Sequence, residues 1–194
     1  MVWPPPDRGS REMKIAGGKF RGMEIGTPRG SRTRPTGGRL KKSLFDILAP
    51  RLPGARVLDL FAGAGALGLE ALSRGAAHVT FVERNRAAAD TIRKNLERLG
   101  LDNDAVLLRR EATAAIGVLA SREQTFDIIF LDPPYRSDLH ALLLQRIDAA
   151  SLAGQGGLVI LEHHHKTALA DTYGGLTKVR EVRAGESCLT FYSV

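Results

Sequence analysis

The sequence predicts an α/β fold: a mainly parallel seven-stranded sheet with helices on both faces and an antiparallel hairpin at its C-terminal end. Three observations predict it. Short apolar runs at 57–61, 78–82, 105–108, 126–131 and 158–161 alternate with stretches of helical periodicity, the pattern of parallel strands joined by helical crossovers. A Gly-rich turn follows the first of these runs where the next helical pattern begins. Two late runs, at about 176–183 and 187–193, have the spacing of a terminal hairpin. The chain has 194 residues, 43% hydrophobic and 25% charged, enough for one well-filled domain of ordinary soluble composition. No apolar stretch approaches membrane-spanning length, and Met1-Val2-Trp3-Pro4-Pro5-Pro6 lacks a signal-peptide core. A cytoplasmic location, no membrane partner and a monomer are therefore expected.

Residues 1–12 read as a disordered tail, and 13–38 as a small basic extension before the main domain at 39–194. Met13 to Ile25 carries apolar residues and glycines arranged like a short hairpin. Charge is distributed unevenly. Residues 1–42 hold 11 Lys or Arg against 3 Asp or Glu, a net of +8 within a total of +7, so the remainder is close to neutral. A basic segment ahead of a near-neutral body suits a polyanionic partner bound through its phosphates. After Arg32-Thr33-Arg34-Pro35-Thr36-Gly37-Gly38-Arg39, the residues Leu40, Leu44, Ile47 and Leu48 predict an amphipathic helix, with Thr36 as its N-cap. Lys41 and Lys42 fall off that apolar face. Arg34 and Arg39 flank the helix start. These four cations are the candidate phosphate contacts.

The run Val57-Leu58-Asp59-Leu60-Phe61 breaks into Ala62-Gly63-Ala64-Gly65-Ala66-Leu67-Gly68 and then a helix. Glycines at 63 and 65 let backbone approach a ligand, and the helix start presents free N–H groups. Glu83 lies twenty residues after Gly63, at the end of the next strand, placed to accept hydrogen bonds from ribose hydroxyls. That much fits either a dinucleotide or S-adenosylmethionine. Asp59 favours the second, because a carboxylate there suits a cationic amino-acid moiety and repels a pyrophosphate. Phe61 and Arg84, which adjoin these residues, complete this part of the donor site. A helix over 85–100 carries Ala88, Ile92, Leu96 and Leu99 on one face, and the third strand follows at 105–108. Glu111-Ala112 then opens a helix where an acid can meet an adenine amino group.

The strand at 126–131 ends in Asp132-Pro133-Pro134-Tyr135, on the same carboxyl edge of the sheet as the glycine loop. An exocyclic amine conjugated to a ring or carbonyl is a poor nucleophile, because its lone pair is delocalised. Acceptors that draw on its protons, and a flat surface that fixes its plane, make it competent. The Asp132 carboxylate and the Pro133 carbonyl supply the acceptors, the prolines stiffen the turn, and Tyr135 supplies a π-face. A helix near 139–149 and the strand at 158–161 follow, then Glu162-His163-His164-His165. Successive side chains of a strand do not converge on one ion, so these histidines are read as solvated and no metal is expected. The single Cys188 lies in an alternating strand run and has no internal disulfide partner.

R-P-T ahead of an amphipathic helix, V-L-D-L-F-A-G-A-G-A-L-G-L-E-A-L-S-R-G-A, F-V-E-R-N and L-D-P-P-Y together resemble the RsmD family of 16S rRNA guanine-N2 methyltransferases. The resemblance covers roughly 13–194. It implies a Rossmann-like class I methyltransferase fold, S-adenosylmethionine as donor, and a guanine of 16S rRNA in the small ribosomal subunit as acceptor. By the same resemblance Gly63, Gly65 and Glu83 hold the donor, Asp132 and Tyr135 the flipped base, and Arg34 and Arg39 the RNA. The chain departs from the family after R-P-T, where T-D-R-V-R-E is usual and Gly37-Gly38-Arg39-Leu40-Lys41-Lys42 stands here. Rival readings are an adenine-N6 or cytosine-N4 DNA methyltransferase, a dinucleotide oxidoreductase, and a non-catalytic RNA-binding factor on the same scaffold.

Overall fold

The computed structural model describes residues 13–28, 38–133 and 138–194. Its main sheet has the strand order 105–108, 78–82, 56–59, 126–131, 153–164, 187–193, 176–184 and 172–173. Strands β3 (Arg56–Asp59), β4 (His78–Val82), β5 (Ala105–Leu108), β6 (Phe126–Leu131) and β7 (Ala153–His164) are parallel, while β10 (Ser187–Ser193) runs antiparallel between β7 and β9 (Leu176–Ala184). The order reverses between β3 and β6, so the crevice beyond their carboxyl ends is the place where such sheets hold ligands.

Two strands differ from the periodicity. β7 begins at Ala153, ahead of its apolar stretch, because an irregular register between Phe126 and Ile128 lets Ala153 pair before the glycines at 156 and 157. β8 (Thr172–Tyr173) adds an eighth, two-residue strand at the edge, too short to show any alternation.

The helices are α1 (Gly38–Leu48), α2 (Ala66–Ser73), α3 (Arg86–Leu99), α4 (Ala112–Ala120) and α5 (Asp138–Ala149). α3 is capped at both ends: the Asn85 side chain accepts from the Ala88 N–H, and Gly100 takes the left-handed conformation after the last turn. Strand residues alternate between two cores. On one face Phe81, Phe130, Ile160 and Phe191 pack under α1, α2 and α3; on the other Ile129, Leu131, Val159 and Leu161 meet α4 and α5. Each such fully buried side chain contributes about 1.5–3 kcal/mol. Among the described residues no helix is long and apolar enough to cross a membrane.

The expected N-terminal hairpin forms a two-rung ladder between β1 (Met13–Lys14) and β2 (Glu24–Ile25), pairing Met13 with Ile25 and Lys14 with Glu24. It shares the core of the main body, since Ile15 and Ile25 are buried in the α1–α3 layer. Its turn clamps the end of α2: the Lys19 N–H donates to the Ser73 carbonyl at 2.7 Å, the Phe20 N–H to Ser73 Oγ at 2.9 Å, and Ser73 Oγ to the Gly17 carbonyl at 2.6 Å. Gly18 is required there, because φ is +76° and a Cβ would stand 1.8 Å from the Ser73 carbonyl oxygen.

Candidate active site

The glycine loop lies between β3 and α2, and Gly65 (φ +84°) is the left-handed residue that starts the helix. Gly63 has φ +55°, and a Cβ at that position would meet nothing within 4 Å, so this part of the loop faces open space. Gly68 has a different purpose. A Cβ on it would stand 2.2 Å from the Phe81 ring, so the third glycine lets α2 lie against β4.

Glu83 fastens this loop. Its Oε2 accepts the Gly63 N–H at 2.9 Å and its Oε1 accepts the Asn85 N–H at 2.7 Å, and each oxygen keeps a further lone pair. Asp59 is 2% exposed, and its Oδ2 accepts the Gly68 N–H at 3.1 Å. Burial pushes its pKa up to about 7, with Glu83 adding to the rise and the N–H groups of Gly68 and Phe61 opposing it. Through its bond to Gly68 the Asp59 carboxylate braces the first turn of α2. Glu111 caps α4, accepting the Thr113 N–H at 2.9 Å and the Thr113 hydroxyl at 2.8 Å, and these bonds hold its pKa below the usual range. Phe61 is half-buried, Arg84 is exposed and Ala112 is buried.

Asp132 follows directly on β6, the strand beside β3, and Pro133 after it is buried. Asp132 is exposed. Its inner surroundings are unfavourable to charge: desolvation first, then Glu162 and Asp59, raise its pKa to about 7. Pro134, Tyr135 and Arg34, and the Thr36 cap, lie outside the described residues. His163, expected to be solvated, is instead buried, with Nε2 2.8 Å from Thr190 Oγ1 and Nδ1 2.9 Å from the His164 carbonyl, because alternation turns it into the core while His164 and His165 stay half-buried. Among the described residues no group of three or more His, Cys, Asp or Glu is arranged to hold a metal.

The four candidate phosphate contacts separate. Arg39 and Lys42 are exposed, Lys42 pairing with Asp46 one turn on at 3.0 Å. Lys41 turns inward, against the sequence expectation. Its Nζ lies 3.3 Å from Glu70 Oε2 and donates to the Ala66 carbonyl at 3.2 Å, with its side chain 13% exposed. Burial lowers the Lys41 pKa, although Glu70 pulls the other way.

Glu70 is a residue that sequence reasoning missed. Fully buried in α2, it accepts from the Ala16 N–H at 2.8 Å and from Arg74 Nε at 2.8 Å, besides Lys41. Burial alone would raise its pKa, but these partners outweigh it and hold the carboxylate ionised. One side chain thus ties the hairpin, α1 and α2 together, one helical turn behind the glycine loop. Asn95 was missed as well; its amide takes the Gly26 N–H at 2.9 Å and donates to the carbonyls of Gly26 at 3.1 Å and Ala64 at 3.2 Å. The available signal was a polar residue interrupting an apolar helix face, at Glu70 in Leu69-Glu70-Ala71-Leu72 and at Asn95 beside Leu96.

Comparison with known proteins gives a consistent family. The model of a family described as "Conserved hypothetical protein 95" matches residues 13–193. The chain is 34% identical to ribosomal RNA small subunit methyltransferase D of Escherichia coli K12, over 97% of this chain and 93% of that protein. It is 38% identical to YlbH of Bacillus subtilis strain 168, provisionally named an rRNA methyltransferase, over 93% of this chain and 98% of the relative. A solved Escherichia coli structure, provisionally named methyltransferase yhhF, superposes with a TM-score of 0.83 at 32% identity, covering 94% of this chain and 98% of that one. By this match, nearly the whole chain belongs to the conserved hypothetical protein 95 family, the RsmD family that its motifs resemble.

Proposed function

We propose that the protein transfers a methyl group from S-adenosylmethionine to the exocyclic N2 amine of a guanine in 16S rRNA. One observation carries this reading: the glycine loop after β3 and Asp132 after β6 end neighbouring strands of one sheet edge, so a single crevice serves donor and acceptor. The name of the Bacillus subtilis relative supports rRNA as substrate, and that of the Escherichia coli relative supports rRNA of the small subunit. Guanine and its N2 atom come from the motif resemblance together with the chemistry of the Asp132 turn.

The residues present fit the donor. Open space in front of Gly63 leaves room beside the loop, and the half-buried Glu83 keeps lone pairs for ribose hydroxyls. Glu111, which caps α4, is the acid assigned to an adenine amino group. When bound, S-adenosylmethionine supplies an electrophilic methyl on a cationic sulfur. Asp132 and the Pro133 carbonyl accept hydrogen bonds from the guanine amine, localise its lone pair and fix its direction, and Tyr135 offers a ring for stacking. The target base leaves its stack to reach this turn. Most of the acceleration then comes from holding two reactants in line, an effect worth roughly 7–11 kcal/mol in favourable intramolecular cases. Arg39 and Lys42, with Arg34, give affinity for phosphates without reading sequence. The protein acts as a cytoplasmic monomer on RNA within the small subunit, the basic residues 13–38 extending the methyltransferase domain at 39–194.

Asp132→Ala tests the assignment. Single-turnover methylation of small-subunit RNA is expected to fall by about a hundredfold or more, while calorimetry with S-adenosylmethionine shows donor binding close to wild type. Equal loss of both would make Asp132 structural.

A further inference from the structure

We infer that Glu162 is a positioning residue of this site: its carboxylate, beside Asp132 on the adjacent strand, keeps Asp132 basic enough to take the proton that amine methylation releases. The inference rests on the function proposed above. As the amine nitrogen bonds to the methyl carbon, the carbon–sulfur pair of electrons stays on sulfur. One N–H proton must then leave the nitrogen, and the carboxylate bonded to that amine takes it.

The geometry follows from the sheet. β6 and β7 are parallel with Leu131 opposite Leu161, so the next residues in register are Asp132 and Glu162. Alternation puts Glu162 on the face that holds Ile160, under α1, and Asp132 leaves the end of β6 beside it. Glu162 is 8% exposed, and its partner across β10 is the apolar Leu189, so little water screens it. A second like charge close by makes a carboxylate hold a proton more strongly.

Several other charged groups toward this edge have partners of their own. Asp59 from β3 is aligned with Phe130, two residues short of Asp132, and its carboxylate is committed to Gly68. Glu83, after β4, acts on Asp59 and holds the glycine loop. Lys41 from α1 is drawn to Glu70. His163 points to the opposite face, against Thr190 and the ring of His140 from α5. Glu162 is therefore the acid in register with Asp132, and a guanine seated over the turn would strengthen their coupling by excluding water.

Glu162→Gln keeps the shape and removes the charge. Carbon-13 NMR of the Asp132 carboxyl in the donor-free protein is expected to show its titration midpoint falling by on the order of one pH unit. The acid limb of the single-turnover rate should fall with it, while calorimetric donor binding stays unchanged. Glu162→Asp, which restores the charge, should return the midpoint toward wild type, and it carries the same test if the Gln variant folds poorly. An Asp132 midpoint unmoved by Glu162→Gln, with Asp132→Asn still inactive, would overturn the inference and leave the site assignment standing. Full turnover in Asp132→Asn would instead remove the assignment on which the inference rests.

Discussion

Asp132 follows β6 and Glu83 follows β4, both at the carboxyl edge of the sheet. Asp132 gives a pH prediction with a definite sign. The ionised carboxylate accepts through both oxygens and can take the amine proton, and its pKa is raised to about 7, so methyl transfer should rise with pH through a midpoint near 7 and level off above it. A rate already level between pH 5 and 6 would show that this carboxyl is not the acceptor. Lys41 shows where residue reading stopped. Leu40, Leu44, Ile47 and Leu48 define an apolar stripe, but the buried Phe45, four residues after Lys41, widens it. Lys41 then lies on the inner face, its ammonium 5.9 Å from the centre of the Phe45 ring. Its anionic partner, Glu70, belongs to another helix, which no periodicity within α1 could reveal.

At the scale of elements, helix α2 is the junction. Its glycine end forms the candidate donor cradle, and its other end carries the hairpin through Ser73 and Glu70. Removing the Glu70 carboxylate strands Lys41 and Arg74 beside an unsatisfied Ala16 N–H. Glu70→Ala is therefore expected to lower unfolding free energy by about 3–5 kcal/mol in urea titration. A loss under about 1 kcal/mol would mean that the cations simply turn to solvent, as exposed pairs do. The strand 126–131 was legible with its ends, because a parallel strand inside the sheet forms a nearly continuous apolar run bounded by polar residues. The start of β7 was not, since Gly154, Gln155, Gly156 and Gly157 carry no apolar signal and join the ladder only through the neighbouring strand.

For the whole molecule, the repeated strand-helix order made the architecture legible, and the charge asymmetry indicated the kind of partner. What the linear pattern could not show was which cations of the basic segment remain at the surface after packing. Arg39 and Lys42 remain there, whereas Lys41 serves the interior. Arg39→Ala and Lys42→Ala should each lower the slope of log affinity for small-subunit RNA against log salt by about one. Lys41→Ala should leave that slope unchanged and lower thermal stability. The opposite pattern would mean that α1 presents a different face to RNA.

Nucleoside mass spectrometry tests the central claim most directly. Small subunits isolated without the modification would be incubated with the protein and isotopically labelled S-adenosylmethionine, and their 16S rRNA digested. Labelled N2-methylguanosine is the predicted result and establishes donor, base and atom together. Label on adenine or cytosine, or on no nucleoside despite confirmed donor binding, would contradict the assignment of guanine N2 to the Asp132 turn.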